Sequence, residues 1–198
     1  LVNVGRCAPQ KRQQDLLQAV QRLHARGIAV RAAIVGDGPD RPALQTLAQE
    51  LGIADHVTFH GALANTEVVR VLTEADLFVL TSAWESFGLV TAEGMACYLP
   101  TVVSDGGASP ELVDPGKTGC IYPVGDIEAL TQRLADLLTQ PPEARARMGQ
   151  AARQRVEELF SLDAHMQQMN ALWHAAVDHG PRADGTSVSA STHPAETA

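Results

Sequence analysis

Six short apolar runs recur along this chain, and most of the segments between them carry hydrophobic residues at helical spacing. The runs are Leu1–Val4, Val30–Val35, Asp55–His60, Leu77–Leu80, Thr101–Val103 and Cys120–Tyr122. Valine and isoleucine recur in them, and β-branched side chains fit a pleated surface better than a helix. Between the first two runs, Gln14–Arg26 places Leu16, Leu17, Val20 and Leu23 on one helical face, and Gly27 ends it as a C-cap. Pro42–Leu51 repeats the pattern with Leu44, Leu47, Ala48 and Leu51. Thr66–Glu74 follows, with Asn65 as its expected N-cap. Ala92–Ala96 and Glu111–Val113 read as shorter helices. Asp126 caps a longer one that runs to Leu138. After the Pro141-Pro142 break comes a charged helix, Glu143–Phe160. Strands that alternate with helices pair in parallel through crossovers of one hand. The expected fold is therefore α/β: a Rossmann-like, doubly wound parallel sheet of about six strands.

This order sets three expected parts. Residues 1–160 form the α/β domain. Residues 161–178 form a helix capped by Ser161, with an apolar stripe of Leu162, Met166, Met169, Leu172, Trp173 and Val177. Residues 179–198 lose hydrophobic periodicity and read as a disordered tail. The chain opens on a strand with no initiating methionine, as a piece of a longer protein would. The net charge of −8 gives no basic field for nucleic acid. No run reaches the length of a transmembrane helix. Cys7, Cys97 and Cys120 are scattered singly, with no CxxC pair, and the seven histidines form no HExxH motif. The expectation is a reduced, cytoplasmic setting with no metal and no cofactor, or a peripheral place at the inner face of the membrane.

In a parallel sheet the loops that follow the strands share the carboxyl edge, where ligands bind. Those loops hold Gly5, Arg6 and Lys11 after the first strand, and Gly36 and Gly38 after the second. Phe59 and Gly61 stand at the end of the third. The fourth is followed by Glu85-Ser86-Phe87-Gly88-Leu89-Val90 and, eight residues after Glu85, by Glu93. A glycine loop leading into a helix offers free N–H groups and the positive end of a dipole to an anion. Carboxylates beside such a place accept bonds from hydroxyls while cations hold the charge. Glu85 and Glu93 would stand at most about 12 Å apart along a helix, the reach of a diphosphate between two sugars. Taken singly, each of these residues also fits a solvated surface or a tight turn. Their convergence on one edge is the stronger signal.

Taken together, the motifs resemble the C-terminal, donor-binding domain of retaining glycosyltransferases of the GT-B fold, family 4. They occur in the family's order: Val4-Gly5-Arg6 with Lys11, Ile34-Val35-Gly36-Asp37-Gly38-Pro39, Val57-Thr58-Phe59-His60-Gly61, Ser82 through Glu93 as an E-x7-E signature, Pro100-Thr101-Val102-Val103 and Pro110-Glu111-Leu112-Val113. The resemblance covers residues 2–160 and implies one half of a GT-B fold. It implies that Arg6 and Lys11 neutralise the diphosphate of a nucleotide sugar and that Glu85 lies near the donor sugar, these three forming the catalytic set. The N–H groups of Gly88, Leu89 and Val90 would hold the phosphates, and Glu93 the ribose hydroxyls. Phe59 to Gly61 would lie beside the base; Gly5, Gly36, Gly38, Ser86 and Phe87 complete the expected donor-binding set. No metal is implied. The partners implied are a nucleotide sugar and a glycan or lipid-linked acceptor, the acceptor held by an N-terminal domain that this chain lacks. The fragment alone would then be inactive. A non-catalytic nucleotide-sugar-binding or scaffold paralogue is the alternative, against which the presence of Arg6, Lys11 and Glu93 argues.

Four residues depart from the family pattern. Arg12 and Tyr98 stand where glycine is common, Gly94 where alanine is usual, and Ala108 in place of a second glycine. If position 98 needs a positive φ, Tyr98 is strained there by about 1–3 kcal/mol.

Overall fold

The structure is a computed structural model and describes residues 1–161, 166 and 169–175. Its strands are β1 (Val2–Val4), β2 (Ala32–Val35), β3 (Val57–Gly61), β4 (Phe78–Leu80), β5 (Thr101–Ser104) and β6 (Gly119–Tyr122). They form one sheet in the order β3-β2-β1-β4-β5-β6, and every pairing is parallel. This is the doubly wound arrangement the strand–helix alternation predicts. The helices are α1 (Gln13–Ala25), α2 (Arg41–Glu50), α3 (Asn65–Thr73), α4 (Leu89–Ala96), α5 (Ser109–Leu112), α6 (Ile127–Leu138) and α7 (Pro142–Phe160).

Side chains alternate across the pleat, so neighbouring strand residues feed opposite cores. Ile34, Val79 and Val102 pack with Leu16, Leu17, Val20 and Leu23 of α1, Leu44 of α2 and Leu130, Leu134 and Leu137 of α6. Val35, Phe78, Leu80 and Val103 face the other way, onto Val71 and Leu72 of α3. A third cluster joins Met95 of α4, Leu112 of α5 and Ala152 of α7. Because both sheet faces are covered, β4 is buried at all three positions and reads as an unbroken apolar run.

Several boundaries differ from expectation. Residues 54–56 make a 3₁₀ turn, so β3 starts at Val57 and continues to Gly61. A second such turn, Pro9–Lys11, precedes α1. Asn65 is not the cap of α3 but its first residue: Ala64 holds the cap position, and its N–H donates to the Glu67 carboxylate at 3.2 Å. The α4 helix begins at Leu89 rather than Ala92, with Gly88 as a left-handed N-cap (φ 71°). The α5 helix begins at Ser109, two residues ahead of expectation. Asp126 does cap α6, accepting from Ala129 N–H at 2.9 Å.

Contacts divide the chain into residues 1–160 and residues 161–198. In the second unit, Met166 and residues 169–175 are helical, and Met166, Met169, Leu172 and Trp173 are exposed. The stripe positions Leu162 and Val177 and the tail expected from residue 179 lie outside the described residues. No helix among the described residues is long and apolar enough to cross a membrane.

Candidate functional site

The strand order reverses between β1 and β4, and ligands of open α/β sheets bind at the carboxyl end of such a switch point. The two strands share a single ladder pair, Val2↔Phe78. Beyond it the Asn3 side-chain amide donates to Val79 O at 2.8 Å, extending the joint with a side chain. The loops leaving β1 and β4 are then bound to each other. Ala83 N–H donates to Gln10 O at 2.7 Å, and the buried Thr81 hydroxyl donates to Lys11 O at 2.7 Å.

Lys11 and Glu85 form an ion pair across these loops, both with little exposure (15 % and 12 %). The Ser82 hydroxyl donates to the same carboxylate oxygen at 2.6 Å. Ser104 at the end of β5 donates to Ser82 O and anchors it from the next strand. The loop after β5 closes on the other side: Ala108 N–H donates to Glu85 O at 2.8 Å. Gly107 has φ 79°, and a Cβ there would stand 2.2 Å from Glu85 O, so only glycine fits. Ala108 has a right-handed backbone (φ −84°), so its departure from glycine carries no strain.

The α4 N-terminus stands directly after this carboxylate. The N–H groups of Leu89 and Val90 have no acceptor among the described residues, as expected of a helix's first turn. Trp84, Phe87 and Leu89 are exposed around it. Ser86 is also exposed and Val90 is half-buried against the sheet face that carries Phe78.

The other expected residues divide. Arg6 is exposed on the β1 loop, and its guanidinium has no partner among the described residues; Gln13 holds its carbonyl at 3.1 Å. Glu93 is exposed on α4 and lines a groove of about 460 Å³ between α3 and α4, with Asn65, Val68 and Tyr98. It makes no side-chain hydrogen bond or ion pair with Lys11 or Glu85. Gly36 and Gly38 owe their identity to the β1 loop: Cβ atoms there would lie 2.0 Å from Gly5 O and 2.2 Å from Cys7 O. Gly5 N–H and Cys7 N–H donate to Val35 O and Asp37 O, so the two loops form one layer. Phe59 is half-buried in β3, and Gly61 (φ 73°) turns beneath Arg41.

Sequence reasoning missed Thr81, Ser82, Ser104 and Arg41. Arg41 pairs with Asp37 at 2.9 Å and reaches Phe59 O at 3.4 Å, spanning the loops after β2 and β3. The hydrogen bonds from Gly38 N–H and Arg41 hold the Asp37 carboxyl below its ordinary range. The polar run Thr81-Ser82 directly at a strand end was the available signal for the first two. Arg12 is left-handed (φ 49°) and grips the buried Asp15 through two bonds, of 2.7 and 3.2 Å. Among the described residues no three His, Cys, Asp or Glu side chains gather as metal ligands would.

The family model described as Glycosyl transferases group 1 matches residues 1–155. N-acetyl-alpha-D-glucosaminyl L-malate synthase of Bacillus anthracis is 33% identical over 174 residues, 88% of this chain and 45% of the relative. A GDP-mannose-dependent alpha-(1-6)-phosphatidylinositol monomannoside mannosyltransferase of Mycolicibacterium smegmatis is 36% identical over 160 residues, 77% of this chain and 42% of the relative. Among solved structures, Anabaena Alr3699/HepE in complex with UDP superposes with a TM-score of 0.77 at 25% identity, over 88% of this chain and 48% of that one. TarM reaches 0.77 at 22% identity over 87% and 34%, a likeness of fold. This chain thus spans less than half the length of these relatives.

Proposed function

We propose that this chain, which belongs to the family of group 1 glycosyl transferases, is the donor-binding, C-terminal half of a retaining family 4 enzyme of the GT-B fold. Its ligand is a nucleotide-diphosphate sugar. The reading rests above all on the Lys11–Glu85 pair, set at the switch point of the sheet beside the open N-terminus of α4. In glycosyl transfer the diphosphate leaves with growing negative charge, so a preorganised cation and helix N–H groups are what the step needs. Lys11 and Arg6 supply the charge. Leu89 and Val90 supply neutral donors, with Gly88 shaping the approach. Glu85, held by Ser82, accepts from sugar hydroxyls. Glu93 serves the ribose and Phe59–Gly61 the base, with Arg41 and Asp37 beside them.

Leaving-group charge is met by these groups, and no metal or cofactor is required in the proposal. The acceptor, a glycan or a lipid-linked one, belongs to the part of the relatives that this chain does not span. Transfer therefore depends on that part, and the chain alone binds the donor without turning it over.

The test is thermal-shift and calorimetric screening of the chain against UDP-, GDP-, ADP- and dTDP-sugars. One of them should raise stability by about 2.7 kcal/mol at a hundredfold excess over Kd. Lys11→Ala and Glu93→Ala should each weaken that binding. If no nucleotide sugar stabilises the chain, the assignment fails.

A further inference from the structure

Of the four arginines of the α7 helix, three donate to backbone carbonyls at the C-terminal ends of three different helices. Arg145 Nη1 reaches Leu138 O at 3.2 Å and Gln140 O at 2.5 Å, at the end of α6. Arg153 Nη1 reaches Ala96 O, the last residue of α4, at 2.7 Å. Arg155 holds α5 twice, at Leu112 O (2.6 Å) and Glu111 O (2.9 Å). Helix C-termini leave carbonyls unsatisfied and carry the negative end of the dipole, so a cation there is favoured on both counts.

Two of these helices end, at their other tips, in the candidate site. Gly88 at the head of α4 fits closely against Ser109 at the head of α5: a Cβ on Gly88 would stand 3.0 Å from Ser109 Oγ. Ala108, the cap residue of α5, binds the carbonyl of Glu85. The bodies of the two helices meet α7 through Met95, Leu112 and Ala152. Gly149 brings the α7 backbone against Tyr98 O, where a Cβ would stand only 2.0 Å away. Glu157 and the Tyr98 ring fix the Arg153 guanidinium, at 2.7 Å and 5.7 Å.

A helix of eight residues is a stiff rod about 12 Å long, so a shift at one tip arrives at the other. We propose that Arg153 and Arg155 are positioning residues for the diphosphate subsite. By holding the tails of α4 and α5 they set where the Leu89 and Val90 N–H groups and the Glu85 backbone stand. The inference rests on the donor-binding reading above. Arg145 uses the same chemistry on a helix outside the subsite and is the internal control.

The test uses the whole chain and the nucleoside diphosphate that binds it among UDP, GDP, ADP and dTDP, with the matching nucleoside as the second probe. Arg153→Ala/Arg155→Ala should keep a cooperative unfolding transition. It should weaken the nucleoside diphosphate at least fivefold in calorimetry while moving the nucleoside less than twofold. Arg145→Ala should lower Tm with the diphosphate Kd unchanged. If the double variant does not fold, Arg155→Lys carries the test: a lysine cannot span both carbonyls as the guanidinium does, and a two- to threefold loss restricted to the diphosphate is expected. A folded variant that binds the diphosphate as wild type overturns the positioning role alone. A wild-type chain that binds none of the four overturns the donor-binding reading, and this inference with it.

Discussion

Gly94→Ala should destabilise this protein, although alanine is the better helix former. Gly94 lies inside α4, where alanine is favoured over glycine by about 1 kcal/mol. Against that gain stands Phe78, which is fully buried in β4. A Cβ on residue 94 would lie 2.7 Å from Phe78 Cγ and 2.8 Å from Cδ2, well inside the van der Waals optimum near 3.5–4.0 Å. Overpacking of this kind costs about 1–3 kcal/mol when the neighbours cannot retreat. Retreat is blocked on each side. Arg153 holds the tail of α4, Gly88 is wedged on Ser109, and Phe78 is anchored by its strand. The net expectation is a loss of about 1 kcal/mol in urea unfolding followed by circular dichroism. Phe78→Leu alone should also cost about 1 kcal/mol, through the volume it leaves. In the double variant the new methyl group enters that volume. The cycle should show a favourable coupling of about 1 kcal/mol or more. A Gly94→Ala variant as stable as wild type, or a cycle that is additive, would refute the packing argument.

The remaining predictions are local. Arg12→Gly relieves a left-handed backbone worth about 1 kcal/mol but strands the buried Asp15 carboxylate, so unfolding should show a net loss of about 1–3 kcal/mol; a gain would refute the role given to this pair. Tyr98 has φ 61° and is exposed, so Tyr98→Gly should be more stable than Tyr98→Ala by about 1 kcal/mol, while both lose the stacking under Arg153. The thiols of Cys7, Cys97 and Cys120 are all pushed up by burial. The native chain should therefore resist alkylation at pH 7 and react fully in denaturant. The stability tied to these thiols is present below about pH 9 and is lost as pH rises through the higher native value. Rapid native labelling of Cys7 would contradict its burial.

The strands were legible because each is short, apolar and rich in β-branched residues, and because Phe78, Val79 and Leu80 must face two cores in turn. The ends of elements were less visible. Ala64 looks nothing like a cap, since the acceptor is supplied by Glu67 three residues on. Val90-Thr91 favours a strand by composition, and only the left-handed Gly88 shows that a helix has begun. Tyr98 was identified as a departure from the family pattern, and the structure bears out the positive φ that made it one. Arg12 shares that conformation, yet its value lies in Asp15, a partner that propensity does not reveal. The Lys11–Glu85 pair spans 74 residues and depends on β1 and β4 being neighbours. Arg145, Arg153 and Arg155 of α7 read only as part of a charged helix because the acceptors they find are backbone carbonyls, which no residue type marks.

One consequence of the Lys11–Glu85 pair concerns selectivity. A lone buried lysine would draw any small anion from the surrounding salt. Here the ammonium already has a carboxylate, and an arriving anion must take its place. Once displaced, Glu85 keeps the Ser82 hydroxyl but loses its cation at little exposure, a costly state for a charged group. An anion that brings hydroxyls with it repairs that loss as it arrives; chloride does not. On the donor-binding reading proposed above, the pair would thus work as a two-key lock, favouring negative charge and hydroxyl donors presented on the same molecule.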